Sequence, residues 1–307
     1  MKNKFALLIM LITLCSCNTY RIANRYTAKK LHKSGLALNE FHNEKYKISY
    51  WDSGGDKPVL ILIHGFGAST QFQWFKQVKA LKNKYRLILP NLIYFGGSTA
   101  NPQIFSVAEQ VTAMQSLIDN LDVKTYSLCG ISYGGLVSAE LALLHPEKIT
   151  KLVLCDAPVK FITMEDLQAA CRRFSVNSVN ELLIPKDHKQ LKPLLRVAYH
   201  HPPHVPAFML KSVYKNMYVP FAKEQNGLLN SLEKQQDIYT AKNYPFPFPV
   251  LLIWGANDQL IPVKTGQLLQ KHIGNNAKLE LIPGTAHMPN LEAPKTFNKV
   301  LLDFLSE

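Results

Sequence analysis

Short runs of apolar residues recur along the chain, and most are apolar at every position rather than at every second one. Strands that are covered on both faces show this pattern, because each side of the strand contacts another layer. Two earlier runs, at 36–41 and 46–51, predict a pair of strands joined by a polar turn. The continuous runs predict buried strands at 59–63, 85–89, 125–129, 152–155, 250–254 and 279–282.

Helical spacing appears between these runs. The clearest case is 106–121, and its apolar positions are Val107, Val111, Met114, Leu117, Ile118 and Leu121. Residues three and four apart share one helix face, so this segment predicts an amphipathic helix. Strands that alternate with helices are typical of a mostly parallel sheet flanked by helices. The predicted fold class is therefore α/β.

One long interval breaks the alternation. From 158 to 248 there is no run of the buried-strand type, and the segment is rich in Pro, Lys, His and aromatic residues. We interpret it as a helical cap inserted over the carboxyl edge of the sheet. The predicted core is then 36–157 together with 249–307, preceded by a tether and surface helix at 18–35.

Composition and charge narrow the function classes. The 307 residues are 47% hydrophobic and 19% charged, which is ordinary for one globular α/β domain. The net charge is +13, yet no compact basic block, zinc-finger spacing or RNA-binding motif is present. We therefore predict no nucleic-acid partner, and consider an anionic membrane surface the better explanation of the charge.

The first residues favour a membrane location. Lys2 and Lys4 precede an apolar stretch at 5–14, which is too short to span a bilayer and fits a secretory signal. Leu14-Cys15-Ser16-Cys17 also resembles the bacterial lipobox, in which the cysteine is lipidated. We expect 1–17 to be a lipoprotein-type signal peptide with Cys17 as the anchor, in a bacterial cell envelope. A plain signal peptide and an uncleaved anchor are the alternatives.

Gly130-Ile131-Ser132-Tyr133-Gly134 is the strongest chemical signal in the chain. It lies between an apolar strand and a helical run at 136–144. In this strand–turn–helix context, Gly-x-Ser-x-Gly is typical of a nucleophile elbow, a turn so tight that positions two before and two after the serine must lack bulk. Ser132 is therefore the predicted nucleophile.

Three further motifs follow predicted strands, where catalytic groups of open α/β sheets lie. His64-Gly65-Phe66-Gly67 follows the strand at 59–63, and its histidine is expected to brace the loop. Asp258 follows the strand at 250–254, and His287 follows the strand at 279–282. Asp156, directly after the strand at 152–155, is the rival acid. The order Ser132, Asp258, His287 is the order expected of a hydrolase triad on such a sheet.

Together these motifs resemble the α/β-hydrolase superfamily over about residues 36–307, and within it the bacterial lipase and monoacylglycerol-lipase-like branch. The resemblance implies that Ser132 attacks, that His287 is the base and that Asp258 orients the histidine. It also implies an oxyanion hole formed by the backbone N–H groups of Phe66 and Tyr133.

The chain departs from the family pattern at two places. Many relatives carry Asp-x-Pro-Gly-x-Gly after the third core strand, whereas this chain has a segment that begins at Asn91 and ends at Ser98. Tyr133 occupies an elbow position where methionine is frequent. The first departure weakens the subfamily assignment and leaves the catalytic residues unaffected.

The predicted function is hydrolysis of carboxylic esters, and lipid or fatty-acyl esters are the expected substrates. We predict neither a cofactor nor a metal, since His200, His201 and His204 lack ligand spacing. A C–C hydrolase, an amidase or peptidase, and a non-catalytic binding lipoprotein remain alternatives. Serine at 132 argues against epoxide hydrolases, which use aspartate. The candidates for an acyl pocket are Phe161, Phe174, Phe208, Met209, Tyr214 and Met217.

Overall fold

A computed structural model describes residues 19–307. The predicted signal peptide and its Cys17 lie outside the described residues. Within 19–307, no helix is both long enough and apolar enough to cross a membrane.

One sheet organises the described chain. Its strands are β1 Ala37–His42, β2 Tyr46–Asp52, β3 Val59–Ile63, β4 Arg86–Pro90, β5 Thr99–Ala100, β6 Tyr126–Ile131, β7 Ile149–Cys155, β8 Val250–Gly255 and β9 Ala277–Ile282. The strand order is β1-β2-β4-β3-β6-β7-β8-β9, with the short β5 paired to β2. The pairs among β4, β3 and β6 to β9 are parallel, whereas β2 pairs antiparallel with β1, β4 and β5. The predicted mostly parallel sheet is therefore confirmed.

One strand boundary differs from the prediction in a way that matters for the site. β6 continues to Ile131, two residues beyond the predicted end, because Gly130 and Ile131 still pair with Leu154 and Cys155 of β7. In a sequence, a glycine near the end of an apolar run favours a turn. In the structure, however, the pairing with β7 continues through Gly130. The strand therefore ends directly before Ser132.

Helices cover both faces of the sheet. Ser106 caps α4 by accepting the Glu109 N–H at 3.0 Å, so the predicted helix at 106–121 begins with its cap residue. The helices outside the segment between β7 and β8 are α1 Thr19–Lys33, α2 Thr70–Trp74, α3 Val78–Leu81, α4 Val107–Asn120, α5 Tyr133–Leu144, α12 Val263–Ile273, α13 Pro289–Glu292 and α14 Pro294–Ser306.

Successive residues of the central strands belong to opposite halves of the core. Leu128 of β6 packs in the cluster that includes α4 and α5, whereas Cys129 packs in the cluster that includes α3 and α14. Successive side chains of a strand point to opposite faces of the sheet, which produces this division. Because both faces are covered, these strands are apolar at every position.

The segment between β7 and β8 is helical. Its π-turn at Tyr214–Tyr218 continues α9, and a short 3₁₀ turn at Val219–Phe221 precedes α10. Its helices are α6 Met164–Phe174, α7 Val179–Leu183, α8 Leu191–Ala198, α9 Ala207–Val213, α10 Ala222–Lys234 and α11 Gln236–Ala241. We call this segment the cap.

Candidate active site

Ser132 lies in the sharp turn between β6 and α5. Its φ and ψ are 53° and −125°, a conformation that non-glycine residues rarely adopt. The Ser132 N–H donates to the Cys155 carbonyl at 2.8 Å, which ties the turn to the end of β7. The turn therefore holds the serine at the carboxyl edge of the sheet.

The two glycines of the elbow are required by close backbone contacts. A Cβ atom at Gly130 would lie 2.3 Å from the Gly134 carbonyl oxygen. A Cβ atom at Gly134 would lie 2.2 Å from the His64 carbonyl oxygen. The loop that begins at His64 is thus packed directly against the elbow, which a side chain at either glycine would prevent.

His287 bridges Ser132 and Asp258. Its Nε2 lies 2.8 Å from the Ser132 Oγ, and its Nδ1 lies 2.8 Å from the Asp258 Oδ2. The histidine side chain is 4% exposed and the aspartate side chain 0% exposed, so water does not compete for these bonds. Both ring nitrogens are used, as proton transfer from serine to an oriented histidine requires.

The Asp258 carboxylate is held by its own loop. Its Oδ1 accepts the N–H groups of Leu260 at 2.8 Å and of Ile261 at 3.1 Å. Its other oxygen is left free to face His287. The turn after β8 therefore fixes the direction in which the imidazole N–H points.

The rival acid, Asp156, lies behind Asp258 and makes a different bond. Its Oδ1 accepts the Gly255 N–H at 2.8 Å, and the residue is fully buried. Burial, and next the negative charge of Asp258, raise the pKa of Asp156 well above its ordinary value. Asp258, and not Asp156, is the acid that contacts the histidine.

Asp156, Asp258 and His287 are also the described residues whose donor atoms lie close enough to share a metal ion, all within 4.8 Å. However, His287 directs one nitrogen at Asp258 and the other at Ser132. These bonds form a hydrogen-bonded chain of Asp258, His287 and Ser132, and Asp156 is outside it.

The loop after β3 borders the nucleophile. A Cβ atom at Gly65 would lie 3.3 Å from the Ser132 Cβ, so this loop and the serine are in contact. The Leu92 N–H donates to the His64 Nε2 at 3.0 Å, and the His64 Nδ1–H donates to the Gly65 carbonyl at 2.8 Å. Burial lowers the pKa of His64 to about 4. Both ring nitrogens brace the loop, and the ring is uncharged at neutral pH.

Phe66 and Tyr133 lie next to each other beside Ser132. Their ring centroids are 5.7 Å apart in an edge-to-face arrangement, and both residues line the same cavity as the serine. The side chains of the two predicted oxyanion residues are thus in contact near the nucleophile, and the role of their backbone N–H groups stays a prediction.

Asn91 explains how the chain tolerates the missing family motif after β4. Its Oδ1 accepts the Thr70 N–H at 2.9 Å, and its Nδ2 donates to the Ser49 carbonyl at 3.3 Å. Gly96 lies against this side chain, since a Cβ there would approach it to 2.3 Å. An amide therefore joins the turn after β4 to the start of α2.

A cavity of about 400 Å³ extends from Ser132 into the cap. Only two of its lining residues, Arg172 and Glu233, carry a charged side chain. A cavity of this size and character fits a small apolar group such as an acyl chain. The apolar side chains that line it include Leu136, Ile162, Leu167, Val176, Leu183 and Leu232.

The prediction of the acyl-pocket residues was wrong. None of the six lines this cavity: Phe208 and Met209 are exposed, and Met217 borders a separate cavity near α1. The Tyr214 hydroxyl donates to the Lys186 carbonyl at 2.6 Å. The prediction chose large apolar side chains by composition alone, and most of these lie outside the cap helices or at exposed positions.

Glu292 is a positioning residue that the sequence did not indicate. Its Oε2 accepts the N–H of Ala286, next to His287, at 2.7 Å. Its Oε1 accepts the N–H groups of His200 and His201 in the cap, at 2.9 and 3.2 Å. One carboxylate thus joins the cap to the loop of His287. In the sequence, Glu292 is recognisable only as an acidic residue five positions after His287.

The family comparison agrees with this geometry. Residues 58–294 match the family model described as alpha/beta hydrolase fold. The chain belongs to this family. The match spans the elbow, both acids and His287.

Individual relatives are distant and carry several activities in their names. Human monoacylglycerol lipase ABHD6 is 24% identical over 290 residues, covering 89% of this chain and 83% of that protein. The 2-hydroxy-6-oxononadienedioate/2-hydroxy-6-oxononatrienedioate hydrolase of Paraburkholderia phymatum is 26% identical over 271 residues, covering 85% of this chain and 91% of that protein. The predicted likeness to lipases is therefore found, beside a likeness to hydrolases of another kind.

Solved structures show the same fold. A membrane phospholipase A, described as a bacterial virulence factor, superposes with a TM-score of 0.80 at 22% identity. The similarity covers 100% of this chain and 98% of that one. The fold is thus shared across the described residues, cap included.

Proposed function

We propose that this protein is a serine hydrolase that cleaves carboxylic esters, with lipid or fatty-acyl esters as substrates. The observation that carries the proposal is the hydrogen-bonded chain Ser132–His287–Asp258 at the mouth of an apolar cavity. The family supplies hydrolase chemistry, and the cavity supplies the argument for an acyl group.

The reaction begins when His287 Nε2 removes the proton from the Ser132 hydroxyl as its oxygen attacks the ester carbonyl carbon. The N–H groups of Phe66 and Tyr133 bind the oxyanion. The C–O bond to the alcohol then breaks, and the alcohol leaves with the proton from His287. A water molecule, deprotonated by the same nitrogen, releases the carboxylic acid and restores the serine. Asp258 stabilises the imidazolium in both halves.

The cavity favours an ester substrate over the dicarboxylate of the Paraburkholderia relative. The name of that substrate, a dioate, means two carboxylates, and buried carboxylates need cationic or donor partners. Here Arg172 is the one basic residue that lines the cavity, and Glu233 lines it as well. An uncharged acyl chain matches this lining better, as do the names of the lipase and phospholipase relatives.

We also propose that the protein is a lipoprotein of a bacterial cell envelope, anchored through Cys17. The support is the sequence pattern of 1–17, a charged start followed by an apolar stretch and a lipobox-like site. An enzyme held at a membrane would meet lipid esters at high local concentration.

The test is a paired assay on p-nitrophenyl esters from acetate to palmitate. We expect the wild type to hydrolyse them and Ser132→Ala to lose at least about 10⁴-fold in kcat. An optimum at intermediate or long chains would support fatty-acyl substrates. If a folded wild-type protein hydrolyses none of these esters, the proposal is wrong, and the C–C, amide and binding alternatives would be tested next.

A further inference from the structure

The exposed face of α1 carries basic and apolar side chains together. Ile22, Arg25, Tyr26 and Lys29 recur at helical spacing on its exposed side, whereas Thr27 and Leu31 are buried against the body of the protein. Ile22 and Tyr26 are 58% and 55% exposed. Grouped exposed apolar residues are a feature of surfaces that contact a partner or a membrane, and here they occur beside basic side chains.

A second face of the same kind lies in the cap. Phe208 of α9 is 48% exposed, and Val219 in the following 3₁₀ turn is 51% exposed. Between them Lys211 and Lys215 are exposed. This segment therefore repeats the combination found on α1.

The helices that carry these two faces are neighbours. The Tyr20 N–H in the first turn of α1 donates to the Ser212 Oγ of α9 at 3.1 Å. Tyr20 and Asn24 also border the same cavity as Asn216 and Met217 of the π-turn. Neither 19–39 nor 207–223 contains an Asp or Glu. We call the eight residues Ile22, Arg25, Tyr26, Lys29, Phe208, Lys211, Lys215 and Val219 the basic–apolar face.

We propose that the basic–apolar face docks on an anionic phospholipid bilayer, with the apolar side chains inserted at the level of the headgroups and the basic side chains against lipid phosphates. An interfacial helix combines these two kinds of side chain. Because half of this face belongs to the cap, docking would place the cap, which covers the proposed acyl cavity, next to the lipid. Docking is a property of the surface and does not depend on ester hydrolysis.

The experiment is vesicle co-sedimentation of the full chain carrying Cys17→Ser, so that lipidation makes no contribution. The vesicles are phosphatidylcholine alone or phosphatidylcholine with phosphatidylglycerol. The docking variant is Arg25→Gln/Lys211→Gln, with one change on each half of the face. The matched control is Lys271→Gln/Lys295→Gln, two exposed lysines on α12 and α14 that lower the net charge equally. Thermal unfolding of each protein checks folding.

Each basic residue near an anionic surface strengthens binding about fivefold, so we expect the docking variant to bind the phosphatidylglycerol vesicles about 25-fold more weakly. The control should bind like the parent chain, and the preference for anionic vesicles should fall at high salt. The proposal is overturned if the docking variant binds like the parent, if the control loses as much, or if phosphatidylglycerol makes no difference. Residues 1–18 are the same in every variant, so binding through them would give the first of these results.

Discussion

The carboxyl edge of the sheet and the cap differ in how strictly the surrounding structure restricts the residue at each position. At the sheet edge, backbone atoms approach so closely that Gly130 and Gly134 admit no side chain, and each triad atom has a defined partner. In the cap, short helices surround a cavity with leucines and valines, and several large apolar side chains face solvent.

Because of this difference, we assign the catalytic chemistry to the sheet edge and the choice of substrate to the cap. The sheet edge holds the groups that must be placed to within a fraction of an ångström, because misplaced catalytic groups lose most of their effect. The cap provides a volume that side chains can change without disturbing those groups. Predictions that alter the edge should therefore change the rate for every substrate, and those that alter the cap should change the preference among substrates.

The largest expected effect distinguishes the two buried acids of the edge. Asp258→Asn should lower kcat by about 10⁴-fold, because an amide cannot orient the His287 tautomer. Asp156→Asn should stay within about tenfold, since an amide oxygen can still accept the Gly255 N–H and Asp156 makes no bond to His287. Ester hydrolysis measured for both variants checks this. A larger loss in Asp156→Asn than in Asp258→Asn would reverse the assignment.

Because His64 is buried and uncharged, the folded protein should lose stability as the pH falls. Its pKa is about 4 when folded and 6.5 when unfolded, so between these values the unfolded chain binds more protons and the free energy of unfolding falls as pH falls. From pH 7.5 to 4.5 the histidine accounts for a loss of about 3 kcal/mol.

Urea unfolding at the two pH values, for wild type and for His64→Gln, isolates this contribution. The variant should be less stable at pH 7.5, because it loses one or both loop bonds, and it should lose less stability on acidification. Equal pH dependence in the two proteins would show that His64 is not held neutral.

Glu292 connects the two regions, so its removal should affect both. Glu292→Ala leaves the Ala286 N–H and the His200 and His201 N–H groups without their acceptor. We expect kcat to fall about 30-fold, since His287 loses its bracing. Glu280→Ala, at an exposed position on β9, is the control and should keep wild-type kcat. An unchanged kcat in Glu292→Ala would mean that the bridge has no role in positioning.

The smallest expected effect belongs to the cap alone. Leu232→Trp should shorten the cavity and lower kcat/KM for palmitate about tenfold relative to acetate, because a bulkier side chain occupies the acyl space. Ile238→Trp, at an exposed cap position, is the matched control. If Leu232→Trp changes both esters equally, the cavity is not the acyl pocket.

The sequence predicted the edge far better than the cap, for physical reasons. Parallel strands need apolar residues on both faces, so β3 and β6 to β8 could be recognised directly, and tight turns need glycine, so the elbow stood out. The cap has no such requirement, which is why Phe161 and Phe208 were wrongly assigned to the cavity. Glu292 escaped notice because its partners are backbone N–H groups, which leave no side-chain pattern.

The most direct test of the central claim is active-site labelling of the folded protein with a fluorophosphonate, followed by peptide mass mapping. A nucleophile activated by His287 should give one phosphonyl adduct per chain, on Ser132. The adduct should be absent from Ser132→Ala and strongly slowed in His287→Ala. A folded wild-type protein that takes up no label, or takes it up on another residue, would contradict the account.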